Sequence, residues 1–341
     1  MKLVELTKEI LESNDKERNE ERNKEHFYAS DAGKCRRQMY YSLEFKKPLE
    51  SNSAESILRM NAGKKIEEAI IDEWDKAGIL VEEQVRIEEA ITDKHEIHGY
   101  ADAIINVEGR PTPVEIKSFY GYHQAKELRE GRPNKNYIYQ LAIYMHFLGY
   151  SEGILYYIDR SDMSMFEFDV VLNEGEIILD FGGTWESIGY VKDIISGFKQ
   201  VSADLEKEIV PEPDFAYKYD LMDFTAEAKS WTKSKLDAEI KKFRPISQVK
   251  GVDPKTNKGK VLGYEYSGTV YPKKDDAIVA FLADAQHGIL PAIDSVCGDW
   301  NCKYCDYKTH CLESQGVSLG YDHVEYMDRL ETLIAIRKEM K

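Results

Sequence analysis

The run Glu96-Ile97-His98-Gly99-Tyr100-Ala101-Asp102 continues through Ala103-Ile104-Ile105-Asn106-Val107 and is followed, after Glu108-Gly109-Arg110-Pro111-Thr112, by Pro113-Val114-Glu115-Ile116-Lys117. Two β-prone runs joined by turn-forming residues predict a hairpin. Strand side chains alternate between faces, so His98, Tyr100 and Asp102 share one face, and Ile97, Ala101, Ala103 and Ile105 share the other. Glu115 and Lys117 likewise share a face. Pairing that sets Asp102 beside Glu115 brings two carboxylates and an amine within a side chain's length of one another. Carboxylates that close repel unless a divalent cation sits between them, and hard oxygen ligands suit Mg²⁺ or Mn²⁺. An amine beside a metal-activated water can stabilise the charge that develops in an in-line attack. The plain alternative is an exposed hairpin with a surface ion pair.

Working outward, Leu3, Val4, Leu6, Ile10 and Leu11 give a short apolar period that runs into the charged stretch Lys16 to Glu25, a helix with a solvated end. Ser30 is a candidate N-cap for a helix carrying Cys35. Ser53 to Trp74 reads as a helix with Ile66, Ile70, Ile71 and Trp74 on its apolar face. Glu67 lies between them, where an ordinary surface glutamate is the plain reading. Val81 to Ile91 predicts a strand that leads into the hairpin. After Lys117 comes a connection containing Gly121, Gly131 and Pro133, then a helix from about Asn136 to Leu148. Tyr137, Gln140, Leu141, Tyr144 and Leu148 fall on one broad face of it, with Gln140 and Tyr144 an i, i+4 pair. Gly153 to Arg160 and Met163 to Leu172 predict two more strands, and Glu174 to about Glu206 a long helix interrupted near Gly182-Gly183. Helices and strands in that order predict an α/β or α+β protein, a sheet flanked by helices.

With 341 residues and 42% hydrophobic content the chain can bury a full core. No internal repeat is evident. No apolar run approaches the roughly 20 residues that span a bilayer, and the first residues lack a signal peptide's apolar core, so the expected location is the cytoplasm with no membrane partner. The formal charge of −16 speaks against a polyanion partner until its distribution is examined. Lys229 to Lys274 carries twelve Lys/Arg against four Asp/Glu, or +8, which leaves −24 elsewhere. Trp231, Phe243, Tyr264, Tyr266 and Tyr271 are interleaved with those cations, Lys241, Lys242 and Arg244 among them. Cations that neutralise phosphates, with rings on which bases stack, are the ingredients of single-strand binding. A basic segment whose aromatics form a small core of their own is the alternative.

Four of the five cysteines, Cys297, Cys302, Cys305 and Cys311, crowd into fifteen residues. Clustered thiols in a cytosolic chain read first as metal ligands. The C-x2-C-x5-C spacing sets Cys302, Cys305 and Cys311 around one centre. Cys297, His310 or the distant Cys35 can complete it, as a zinc knot in the first two cases or as a cluster tying the two ends of the chain together in the third.

Together, Gly99-Tyr100-Ala101-Asp102, Glu115-Ile116-Lys117, Gln140-Leu141-Ala142-Ile143-Tyr144 and Cys35 with Cys302, Cys305 and Cys311 resemble the PD-(D/E)xK nuclease superfamily. The branch they are most similar to is the RecB-like one with an iron–sulfur cluster, which includes the CRISPR-associated Cas-four exonucleases and the nuclease domain of AddB. The resemblance covers about 27 to 172 and 297 to 311. It implies a restriction-endonuclease-like core: a mixed central sheet flanked by helices, with an iron–sulfur cluster joining the N- and C-terminal segments. Asp102 and Glu115, with the Ile116 carbonyl, would hold Mg²⁺ or Mn²⁺. Lys117 would be the catalytic lysine, and Gln140 and Tyr144 the family's Q-x3-Y element. Cys35, Cys302, Cys305 and Cys311 would hold a [4Fe–4S] cluster, leaving Cys297 spare.

The chain departs from the branch where a G-x3-H pattern usually supplies a histidine ligand. Here the pattern is Gly63-Lys64-Lys65-Ile66-Glu67, and Glu67 is the candidate ligand, as in other nucleases of the superfamily. The implied layout is an N-terminal helix (1–26), a nuclease core (27–205), a basic aromatic insertion (206–290), a cysteine cluster (291–315) and a C-terminal amphipathic helix (316–341) with Val324, Met327, Leu330 and Ile334. The function expected is a metal-dependent deoxyribonuclease, an exonuclease on single-stranded DNA in recombination, repair, CRISPR or phage DNA processing, with a recombination or CRISPR-associated protein as partner. The rival is a nucleic-acid-binding or assembly module that keeps the fold, with a structural iron–sulfur or zinc site, and cleaves poorly.

Overall fold

The computed structural model describes residues 2–214, 221–242, 247–252, 259–266, 268–273, 276–277, 280, 302, 305–314 and 323–340. They fall into two compact units, Met1–Asp214 and Phe215–Lys341. The first runs α1 (Leu3–Glu20), β1 (Phe27–Tyr28), α2 (Arg36–Glu44), α3 (Ala54–Lys76), β2 (Leu80–Ala90), β3 (Glu96–Val107), β4 (Arg110–Phe119), α4 (Tyr122–Arg129), α5 (Lys135–Leu148), β5 (Glu152–Asp159), β6 (Met165–Asn173), β7 (Glu176–Phe181), β8 (Thr184–Tyr190) and α6 (Val191–Glu206). This is the expected mixed α/β class. Eight strands form one sheet, in which β4 and β5 pair in parallel and most other pairs are antiparallel.

The hairpin that decides the fold is β3–β4. Glu108 (φ 52°) and Gly109 (φ 86°) make a two-residue turn with positive φ at both positions, the geometry that matches strand twist. That turn fixes the register Val107↔Arg110 through Ala103↔Val114. Ala103, Ile105, Val114 and Ile116 then pack with Ile158 on Ile71, and Ile66, Ile70 and Trp74 of α3 complete that layer. Lys117, the next residue after Ile116, belongs to the other face and meets Tyr137 of α5, so α3 and α5 cover opposite faces of the sheet. Both helices begin at side-chain caps: Ser53 Oγ accepts the Ser56 N–H and Asn134 Oδ1 the Asn136 N–H. At its other end α5 stops at Gly149, in the left-handed conformation.

Two expectations are corrected. Glu174 to Glu206 is not one interrupted helix: β7 and β8 form a hairpin about Gly182 (φ 58°) and Gly183 (φ 86°), and only α6 is helical. A Gly-Gly pair between Ile177-Ile178-Leu179 and Trp185 is a hairpin signal that outweighs weak helical periodicity. Ser30 caps no helix; it lies in a 3-10 turn, Ala29–Asp31, and Cys35 itself occupies the N-cap of α2. The sequence reading also passed over α4, in the connection after Lys117.

At the sheet's margin β2 pairs, among the described residues, with β3 alone, and carries Glu82, Glu83, Glu88 and Glu89 on exposed positions.

The second unit contains α7 (Leu221–Lys229), α8 (Lys233–Lys242), β9 (Ser247–Val252), β10 (Gly259–Tyr266), β11 (Thr269–Tyr271), α9 (Lys308–Ser314) and α10 (His323–Glu339). Its three strands order as β11-β10-β9. Ala228, Leu236, Tyr266, Ala277, Leu333 and Ile336 are its core, with Trp231, Tyr264 and Tyr271 partly buried against it. Rings of the basic segment are therefore taken up in packing, and α10 is a packed element. Arg244, Phe243 and Cys297 lie outside the described residues, as do the side chains of Lys241, Lys242, Val324, Met327 and Leu330.

Candidate active site

The β3–β4 ladder ends at Ala103↔Val114. Beyond that point β3 is bordered on one side by β2 along Glu96 to Ile105, so β1, which pairs with Ile97 and His98, must take the side that β4 has left. A fork thus opens between β3 and β4 at Asp102 and Glu115. The Ile116 N–H, which a continuing ladder would pair with backbone, donates instead to Asp102 Oδ2 at 2.7 Å. The carboxylate replaces a rung and is oriented by it.

Glu115 is fully buried, with Lys117 Nζ in charge-assisted contact at its Oε1. Among the described residues its Oε2 has no hydrogen-bond partner. Burial, then the charge of Asp102, pushes the Glu115 carboxyl up to about 8. Burial also raises Asp102. Glu67 of α3 is raised by burial and by Asp102, is lowered in part by Lys117, and accepts from Gln84 Nε2 at 3.0 Å. Lys117 is itself pushed up, the charges of Glu115 and Asp102 outweighing its burial, and is held protonated.

Asp31, in the same unit, shows that burial alone is not the cause. It is as enclosed as Glu115, but Lys24 and Lys34 bind it at 2.6 and 3.0 Å and the Tyr28 N–H at 2.9 Å. Its carboxyl is held well below the usual range. A buried charge is tolerated when paired and hydrogen-bonded, and costs several kcal/mol when not. Three carboxylates against one lysine at the fork leave a deficit of positive charge, and hard oxygen donors define what fits it: a divalent cation.

From α5, Gln140 Nε2 donates to Tyr144 Oη at 3.2 Å, and the Tyr144 phenol is raised by burial and by Glu115 and Asp102. Gly99 lets Tyr144 in: a Cβ there would stand 2.7 Å from its ring and 3.0 Å from its oxygen. The structure therefore gathers Glu67, Asp102, Glu115, Ile116, Lys117, Gln140 and Tyr144 in one region. Sequence reasoning missed Gln84, which sits at φ 51° inside β2 and breaks the alternation that would have flagged it.

His98 does not join them. It stacks on His26 with ring centroids 3.7 Å apart and bonds Glu96 at 2.8 Å. Ligand atoms of Glu88, Glu96 and His98 lie within 4.8 Å of one another on the β2–β3 surface. That group is more compact than the fork but already satisfied, since Arg86 contacts Glu88 and His98 contacts Glu96. The buried carboxylate oxygen without a partner is the stronger mark of a cation site.

No family model and no curated protein matches the sequence. Among solved structures, the crystal structure of SSO0001 is similar at 19% identity over 65% of this chain and 91% of that one, with a TM-score of 0.37. The alkaline exonuclease LHK-Exo from Laribacter hongkongensis is similar at 16% identity over 59% and 93%, with a TM-score of 0.39. The same exonuclease in complex with dAMP is similar at 17% over 54% and 89%, again at 0.39. Likenesses this distant say nothing of activity. No helix among the described residues is long and apolar enough to cross a membrane.

Proposed function

We propose that the chain is a metal-dependent DNA nuclease with its site at the β3–β4 fork. The observation that carries this reading is the Glu115 carboxylate, fully buried with Oε2 unpartnered among the described residues, beside two further carboxylates and a single protonated lysine. Glu67, Asp102, Glu115 and the Ile116 carbonyl would hold Mg²⁺ or Mn²⁺. Such an ion supplies Lewis acidity at a phosphoryl oxygen and makes water a better nucleophile.

The protein's own groups do the rest. Lys117 stays protonated beside Glu115 and Asp102, so it is no base; it donates to phosphate oxygens as negative charge grows during in-line attack by water. Tyr144 stays a neutral phenol, and with its oxygen already accepting from Gln140 its own O–H is left to donate to the phosphodiester. Water is the nucleophile and no covalent enzyme intermediate forms. Exonuclease action on single strands, serving recombination, repair, CRISPR or phage DNA processing, is the finer reading and rests on the sequence resemblance.

The cysteine spacing carries a second proposal, a [4Fe–4S] cluster on Cys35, Cys302, Cys305 and Cys311. In the first unit the Asp214 N–H donates to Cys35 Sγ at 3.4 Å, the kind of contact that cluster sulfurs receive. In the second, Cys305 N–H closes a turn onto the Cys302 carbonyl at 3.2 Å, and Cys311 follows on α9.

The test of the nuclease reading is cleavage of DNA labelled at either end, single- and double-stranded, in Mn²⁺ and in Mg²⁺, by anaerobically purified protein beside Glu115→Gln. Loss of label with the unmutated protein and none with the variant is the expected result. Intact DNA in all lanes, with binding retained, would make this a binding module instead.

A further inference from the structure

If bases are to be held, the rings expected to do it in the basic segment are poorly placed, because Trp231 is partly buried in the second unit's core and Lys235 Nζ lies 4.0 Å over its ring. The rings that stand clear are elsewhere. Tyr120 and Tyr122 are each 72% exposed, and they directly follow the strand that carries Glu115 and Lys117. Tyr120 lies three residue steps beyond Lys117, roughly 10 Å along an extended chain. Between the two tyrosines Gly121 sits at φ 116°, a conformation L side chains rarely adopt, so the backbone is bent where the two rings leave it. Two rings this open, one residue apart, present adjacent flat apolar faces to solvent.

The charge beside them identifies the occupant. Arg160 donates from Nε to the Phe119 carbonyl at 3.3 Å and from Nη1 to the Arg59 carbonyl at 2.9 Å, which ties Arg59 and Arg160 to the end of β4. Arg129 lies over the Phe166 ring at 5.8 Å, and that ring is 6.0 Å from Phe119. Among the described residues no carboxylate lies within 4.0 Å of the guanidinium of Arg59, Arg129 or Arg160, whereas Arg86, Arg110 and Arg132 all have one; Asp162 acts on Arg129 only at longer range. Arginines without a close ion pair beside open rings complement a chain of phosphates with unstacked bases.

We propose that Tyr120 and Tyr122 form a base-stacking platform for single-stranded nucleic acid at the rim of the fork, with Arg59, Arg129 and Arg160 taking its phosphates. The platform rests on the nuclease reading for its purpose but not for its detection, since binding is read without cleavage. In EDTA, a fluorescein-labelled oligothymidylate should bind the full chain, and the double variant Tyr120→Ala, Tyr122→Ala should bind it about ten-fold or more weakly. Tyr120→Phe, Tyr122→Phe keeps the rings and should bind as the unmutated protein does. An abasic strand of equal length should bind all three proteins alike. Oligothymidylate affinity unchanged in the alanine variant, equal losses for both strands, or no binding by the unmutated protein would each overturn the platform. Binding as expected with no cleavage in Mn²⁺ or Mg²⁺ would keep it and overturn the nuclease instead.

Discussion

Stripped of divalent ions, the protein should lose stability as the pH rises from about 4.5 to about 8, and Glu115→Gln should abolish most of that loss. The Glu115 carboxyl titrates near 4.5 in a solvated chain and at about 8 in the fold, because burial and the facing charge of Asp102 outweigh the help of Lys117. Below pH 4.5 both states carry the proton and nothing is lost. Above it the unfolded chain releases the proton freely while the folded one resists, so stability falls until the folded carboxyl ionises too. A pKa unit is about 1.4 kcal/mol, which sets a ceiling on the order of 5 kcal/mol and, after relaxation, a few. For a unit of this size that is roughly 5–15 °C in Tm, at about 2–4 °C per kcal/mol. Asp102 and Glu67, also raised, act in the same direction. His26 and His95, lowered by burial, give an opposite slope near neutrality, so the readout is the difference between the two proteins. Calorimetry in EDTA at pH 5 and pH 8, repeated with Mn²⁺, is the assay. Expected are a variant more stable than the unmutated protein at pH 8 without metal, and an unmutated protein that Mn²⁺ rescues at pH 8 but not at pH 5. Equal pH dependence in the two proteins would refute the account of the orphaned carboxylate.

Lys117→Met should lower cleavage roughly 10²–10³-fold, as loss of a transition-state donor does, while leaving the thermal response to Mn²⁺ in place; a lost Mn²⁺ response would assign the lysine to the fold instead. Gly99→Ala should cost about 1–3 kcal/mol in a urea titration, because the new methyl meets the Tyr144 ring at 2.7 Å and Ala29 at 3.0 Å. An unchanged midpoint would mean that Tyr144 yields without penalty. Cys35→Ser should reduce the iron content and visible absorption of anaerobically purified protein; if both are unaltered, or if the metal present is zinc, the cluster ligand set is wrong.

The hairpin was legible from two β-prone runs about turn residues, but the sequence spread the turn over Glu108 to Thr112 and left the register open; strand pairing through Arg110 to Thr112 closes the turn to Glu108-Gly109 and brings Asp102 and Glu115 together. Ser53 and Gly149 bound their helices in ways that a sequence displays. Glu67 was harder: its meaning depends on a sheet that packs beneath α3, and in isolation it is a surface glutamate. The β7–β8 hairpin was misread because its signal, Gly182-Gly183, was taken as an interruption rather than as the turn. Composition left the basic segment open, since interleaved aromatics and lysines look alike whether the rings stack on bases or, as with Tyr266, fill a core. Tyr120 and Tyr122 carried no flag, because exposure is a property of the fold.

The glutamates along β2 bear on how the protein behaves at high concentration. Among the described residues one margin of β2 is unpaired, an invitation to a second copy, and repulsion between two rows of Glu82, Glu83, Glu88 and Glu89 withholds it. Added salt shortens the reach of that repulsion to a few ångströms. Concentrating the protein in high salt therefore invites edge-to-edge association, whereas low-salt buffer keeps copies apart.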